Sequence, residues 1–206
     1  MDQNQTMRTC DTLLLSAADG QQALQKAGQL IRQGGLVAFP TETVYGLGAN
    51  ALDPQAVRGI FAAKGRPQDN PLIIHLEDAS QTALYAKNIP PVYYRLCEQF
   101  SPGPLTIILP KRENIPLETS GGLDTVAVRI PSHPVARQII HWAGVPVAAP
   151  SANLSGSPSP TIAEHCVNDC GEGWMPLWTE ARAAWDWNRP SCLWRGSTLS
   201  CCVRVQ

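Results

Sequence analysis

LVAFPTETVYGLGANA, residues Leu36 to Ala51, sets an apolar run against a stretch holding two threonines, a glutamate, a tyrosine and two glycines. LVAF reads as a buried strand, and the polar residues after it read as a loop at the strand's end. Loops leaving strand ends are where α/β sheets place ligands. Upstream, Ala23, Leu24, Ala27, Leu30 and Ile31 recur at helical spacing between Asp19 and Gln33, and Gly34-Gly35 supply a stop. Downstream, Asp53-Pro54 pairs an N-cap with a proline suited to the first helical turn. It precedes Val57, Ile60 and Phe61 on one face of a helix expected to end near Lys64.

Farther along, PLIIHL from Pro71, PLTIILP from Pro104 and TVAVRIP from Thr125 are short apolar or alternating runs bounded by breakers, which predicts three strands. Pro134 to Ala143 predicts a helix and VPVAAP another short strand, while SANLSGSPSP is a loop rich in hydroxyls and turn formers. Alternating strands and helices indicate a layered α/β domain, whose proline-separated strands could run mixed rather than all parallel.

The chain has 206 residues, 44% of them hydrophobic, which suits one domain with a sizeable core. A formal net charge of -1 supplies no general attraction for nucleic acid, so RNA contact would need a local basic patch. No segment reaches the ~18 consecutive apolar residues of a membrane span, and the N-terminus lacks a signal h-region. The expectation is a soluble cytoplasmic protein with no membrane partner. Seven cysteines without paired CxxC spacing indicate neither a disulfide framework nor a zinc site.

Three polar clusters succeed predicted core elements: TETVYG, KGRPQDNP and PSANLSG. Lys64 and Arg66, separated by one residue, suit a polyphosphate or a carboxylate, although the same pair could be a solvated loop. Ser151, Asn153 and Ser155 offer hydroxyls and amides that can surround phosphate oxygens or a base, or can form an ordinary turn. Thr41 and Thr43 could cap the strand end, and Tyr45 could be core. His75 reads as a satisfied, half-buried histidine rather than a metal ligand, because no second histidine has ligand spacing. No GxxxxGK[ST], GxSxG or GxGxxG occurs, so the cations act outside those schemes.

PTETVYGLG, KGRPQDNPLIIHL, SPGPLTIIL, VAVRIPSHP and PSANLSGSPSPT, in this order and spacing, resemble the YrdC-like family of L-threonylcarbamoyladenylate synthases. The resemblance is dense from about Leu36 to Thr161. It implies a twisted α/β sheet, mostly mixed and flanked by helices, around a concave cleft. It also implies an ATP-dependent nucleotidyl transfer that joins L-threonine and bicarbonate or CO2 into threonylcarbamoyl-AMP and releases pyrophosphate. ATP is then a substrate, accompanied by Mg²⁺, and downstream proteins transfer the threonylcarbamoyl group to tRNA. By motif, Thr43 falls to the threonine pocket, with Arg129 as a further anion-binding residue and His75 as a pocket residue. Lys64 and Arg66 fall to the substrate carboxylate and phosphates as catalytic cations, and Ser151 and Asn153 to the nucleotide.

From roughly Asp169 the composition changes: GEGWMPLWTEARAAWDWNRPSCLWRGSTLSCCVRVQ holds five of the six tryptophans. The family would show a segment of the form VDAxVDGGPCxxGxESTV here. Read from the third base of each codon, Trp174-Met175 forces aspartate, Met175-Pro176 alanine and Trp178-Thr179 aspartate. Trp185-Asp186, Asp186-Trp187 and Trp187-Asn188 force glycine, leucine and glutamate, and permitted codons elsewhere complete VDALVDGGPCRLGLESTV. These forced positions indicate a frameshift near Cys166 to Cys170, the alternative being a genuine divergent tail or lid rich in Trp and Cys. Residues 1–169 then form a C-terminally incomplete catalytic domain and 170–206 an out-of-frame, poorly ordered tail, and the absence of that segment's serine and threonine is expected to impair activity. A carbamoyl-adenylating domain of the hydrogenase-maturation kind, or an RNA-binding or ribosome-associated module, are the competing readings.

Overall fold

A computed structural model describes the backbone of residues 14–15, 20–170, 177–178, 190–195 and 198–203, and the side chains of residues 20–166. The first helix, α1 (Gly20–Arg32), buries Ala23, Ala27, Gly28 and Ile31 along one stripe, as the spacing predicts. It lies on α5 (Pro134–Ala143), and the Arg32 guanidinium donates to Ala143 O at 2.7 Å and Trp142 O at 2.9 Å. Those are carbonyls at the C-terminal end of α5, which has no intrahelical donors left for them.

LVAF forms β2 (Val37–Pro40), after a short β1 (Leu14–Leu15). The segment after β2 departs from the expected loop. YGLGAN is itself a strand, β3 (Tyr45–Asn50), which folds back antiparallel on β2 with Phe39 opposite Gly46 and Pro40 opposite Tyr45. Only Thr41 to Val44 make the connection. Tyr45, Leu47 and Ala49 point into one core, while Gly46 and Gly48 occupy the other face. A Cβ on Gly48 would lie 2.5 Å from the Phe39 ring, so this glycine serves close packing, where the sequence suggests a break.

Helix α2 (Pro54–Lys64) starts where Asp53 accepts from Gln55 N at 2.8 Å and stops at Gly65, whose φ of 57° is left-handed. Gly65 N and Arg66 N close the last turn onto Ala62 O and Phe61 O. The remaining predicted strands are β4 (Ile73–His75), β5 (Thr106–Pro110), β6 (Thr125–Arg129) and β7 (Val147–Ala148). The structure adds a 3₁₀ helix (Ala79–Leu84), α3 (Pro91–Phe100), α4 (Leu117–Ser120) and α6 (Ala163–Cys170), which the sequence pattern does not announce.

The central strands run in the order β2-β3-β7-β4-β6-β5. Only β4 and β6 pair parallel among these six, so the sheet is mixed, as expected. Outside them, β8 (Leu177–Trp178) lies between β1 and β2, and β9 (Pro190–Arg195) and β10 (Thr198–Val203) extend the β5 edge. The expectation of a poorly packed tail concerns side chains outside the described residues. The sheet separates two cores. Tyr45, Leu47, Ile74, Ile107 and Val128 pack on the α2 side, whereas Val37, Phe39, Val147 and Ala149 pack against α1 and α5.

Two helical glycines should respond oppositely to one methyl group. A Cβ on Gly28 would sit 2.6 Å from the backbone of Trp142 and Ala143, whereas one on Gly59 would touch only Leu36 at 3.6 Å. Urea denaturation should show Gly28→Ala destabilised by about 1–3 kcal/mol through overpacking. Gly59→Ala should be stabilised by about 0.5–1 kcal/mol through helix propensity.

Candidate functional site

Register places a polar row across three neighbouring strands: Thr106 on β5 faces Arg129 on β6, which faces His75 on β4. Facing residues on paired strands share a side of the sheet, and here that side is opposite Ile74, Ile107 and Val128 of the main core. Gly46 and Ala149 keep the neighbouring surface low. The result is a cleft of about 430 Å³ that gathers Thr43, Arg66, His75, Arg129 and Ser151. Five of the seven residues assigned by motif therefore line one cavity.

Arg129 is 1% exposed, and its Nη2 donates to Glu42 Oε1 at 2.5 Å and to Thr43 Oγ1 at 3.2 Å. Its Nε reaches Gly103 O at 3.4 Å. The second oxygen of Glu42 accepts from the Ser132 backbone N at 3.2 Å. Glu42 thus joins the β2–β3 turn to the segment that leaves β6. A charge as deeply buried as Arg129 needs such a partner.

His75 is buried, not half-buried as read from the sequence, and its Nδ1 has no hydrogen-bond partner among the described residues. Burial, and then the neighbouring charge of Arg129, push its pKa down to about 3. The imidazole is therefore neutral, which avoids a second buried cation beside Arg129.

Lys64 and Asn153 do not line the cleft. Lys64 is the last residue of α2, only 3% exposed, and its ammonium donates to Ser151 O and Asn153 O. The reading of Lys64 as an exposed loop cation is thereby corrected, because the helix end carries it beneath the 151–157 loop. Gly65 then turns the chain so that Arg66 alone of the pair reaches the cleft, half-buried, its pKa lowered by burial against the pull of Asp69. Asn153 braces the same loop, with Nδ2 donating to Leu154 O at 2.8 Å and Ser157 O at 2.7 Å. The loop is also stitched to β3 through Leu47 N to Pro150 O and Ala152 N to Tyr45 O, both 2.8 Å. Ser151 is held at the cleft by both sets of bonds.

Sequence reasoning passes over Glu42. Its signal is a lone carboxylate between two buried threonines, which the turn directs at an arginine 87 positions away.

Comparison with known proteins bears directly on this geometry. Residues 29–177 match a family model, Sua5/YciO/YrdC, described as telomere recombination. The chain belongs to this family. It is 59% identical over 143 residues to a threonylcarbamoyl-AMP synthase of Pyrococcus abyssi, a match covering 69% of this chain and 42% of that protein. It is 52% identical over 156 residues to the Bacillus subtilis protein of the same name, covering 75% of this chain and 44% of that one. The chain thus spans less than half the length of these two relatives. Among solved structures, P. abyssi Sua5 complexed with L-threonine superposes with a TM-score of 0.86 at 44% identity, over 92% of this chain and 56% of that one.

The two neighbouring cations should behave differently when removed. Lys64→Met should be destabilised by about 2–5 kcal/mol in urea, because it strands two carbonyls, each costing about 1–3 kcal/mol. Arg66→Ala should stay within about 0.5 kcal/mol of wild type, as for a surface substitution. For His75, the folded pKa of about 3 lies below the ordinary 6.5, so the unfolded chain binds the proton more tightly. Stability should accordingly fall as pH drops from 6.5 toward 3, and His75→Gln should flatten that part of the profile.

Proposed function

We propose that the cleft binds L-threonine at its Thr43, His75 and Arg129 end and the phosphates of ATP at Arg66 and Ser151, for synthesis of threonylcarbamoyl-AMP. The observation that carries this is the convergence of a buried, ion-paired arginine, a neutral histidine and a second arginine in one cavity. The names of the relatives support the same reading.

In this scheme the amine of threonine, once neutral, adds to CO2 with loss of a proton, or condenses with bicarbonate with loss of water, to give a carbamate. A carbamate oxygen attacks the α-phosphorus of ATP, the bond to the β-phosphate oxygen breaks, and pyrophosphate leaves. Such a displacement needs alignment and charge neutralisation more than a protein nucleophile. Arg129 would orient the amino-acid carboxylate, and Arg66 would offset charge that develops on the phosphates. Lys64 and Asn153 would contribute through the loop that presents Ser151, which assigns them shape rather than contact.

Among the described residues no three His, Cys, Asp or Glu side chains gather as a metal site, and the cleft lining carries no carboxylate. Magnesium therefore enters the proposal as an ion on the nucleotide, as part of the substrate. No described helix is long and apolar enough to cross a membrane. A cytoplasmic location and hand-over of the product to tRNA-modifying proteins belong to the same proposal.

Residues 170–206 are proposed to be out-of-frame. The forced codon positions from Trp174 onward support this reading. Pyrophosphate release should depend on both L-threonine and bicarbonate in a frame-restored protein and be at least tenfold lower in the 206-residue chain, a loss of about 1.4 kcal/mol or more in transition-state stabilisation. Release independent of threonine, or salt-sensitive retention of RNA without it, would favour the RNA-binding reading instead.

A further inference from the structure

Hydrogen positions in the β2–β3 turn are set by which atoms can donate. Thr41 Oγ1 lies 2.7 Å from the Val44 carbonyl oxygen, which has no proton, so the Thr41 hydroxyl must donate to it. Thr41 Oγ1 also accepts from the backbone N of Thr43 at 3.2 Å and of Val44 at 3.3 Å, which fills both its acceptor positions, so the 3.0 Å contact with Thr43 Oγ1 does not fix the Thr43 proton. Arg129 Nη2, a donor only, supplies the remaining 3.2 Å contact to Thr43 Oγ1. Arg129 thus reaches the turn through Thr43 Oγ1, and Thr41 closes the turn on Val44. Thr43 has one acceptor position taken by Arg129 and one left for a ligand.

Glu42 stands behind the Arg129 contact. One of its oxygens takes Nη2 of Arg129 and the other takes the Ser132 amide. With Nε directed at Gly103, Nη1 is the nitrogen left to meet a ligand in the cleft that Arg129 lines. We infer that Glu42 is a positioning residue: it aims Arg129 Nη1 at the cleft as a donor and, by holding Nη2, fixes the guanidinium against Thr43 Oγ1. A ligand filling this end must present an acceptor such as a carboxylate to Arg129 and a polar group to Thr43, the pattern of a hydroxy-amino acid. The inference deepens the proposed function and rests on it.

Glu42→Gln is the discriminating variant, because the amide offers one acceptor where two are needed and sets a donor against either Arg129 or the Ser132 amide. Calorimetric titration of the full chain with L-threonine and, separately, with ATP should show threonine affinity lowered about tenfold or more, the scale of one charge-assisted hydrogen bond, with ATP affinity within about twofold. In a double-mutant cycle, the affinity loss caused by Thr43→Val in wild type should shrink in the Glu42→Gln background, since the hydroxyl it deletes is no longer ordered. A Glu42→Gln protein with wild-type threonine affinity, or an additive cycle, would overturn the positioning role. If Glu42→Gln fails to fold, Glu42→Asp, which withdraws charge and acceptors by one methylene, should show an intermediate loss, and wild-type affinity there would overturn it equally. A wild-type chain that binds ATP but not L-threonine would refute the threonine reading itself, and the positioning role with it.

Discussion

The pair formed by Arg129 and Glu42 is the constraint that sets the arrangement of the cleft. A guanidinium at the end of a central strand, 1% exposed, is tolerated only with a carboxylate against it, and breaking such a buried pair costs about 3–5 kcal/mol. Because the carboxylate comes from the turn between β2 and β3, electrostatics decides where that turn sits. Its second oxygen ties down the Ser132 amide, which leads into α5. Three segments distant in sequence are thus fixed around one charge.

Charge elsewhere in the site is arranged to leave that cation effective. Burial and Arg129 keep His75 neutral, so no like charge stands beside the guanidinium. Lys64 is directed into the carbonyls of Ser151 and Asn153, where it shapes a loop. Arg66 remains at the mouth, beyond the left-handed turn at Gly65. The cleft therefore has one fixed cation at its floor and one less buried cation at its rim, a polarity suited to a small amino acid held deep and a polyphosphate held outside.

Much of the fold is legible in the sequence because burial writes a simple pattern: the α1 stripe, the capped α2 and the proline-bounded strands all appear within a residue or two of their expected limits. β3 is not legible as a strand, because Gly46 and Gly48 replace the apolar side chains that would have revealed its alternation, and the Phe39 ring fills the space they vacate. In the site, Thr43, Arg66, His75, Arg129 and Ser151 are legible as motif residues that share a cavity. Lys64 and Asn153 are misplaced because sequence gives residue type and spacing but not direction, and a helix end can bury a lysine beneath a loop 87 residues away. Glu42 escapes notice for the converse reason: its role exists only once β6 brings Arg129 to it. The codon pattern of residues 170–206 is independent of the fold and belongs to the nucleic acid.

If Glu42 and Arg129 form a preset floor against which the amino acid docks, a crystal structure of this chain with L-threonine bound will show it most plainly. The expected result is a carboxylate on Arg129 Nη1, an amine or hydroxyl group hydrogen-bonded to Thr43 Oγ1, and Glu42 still bridging Nη2 and the Ser132 amide. Threonine bound elsewhere in the cleft, or an Arg129 side chain swung away from Glu42 to reach it, would show that the floor is not preset.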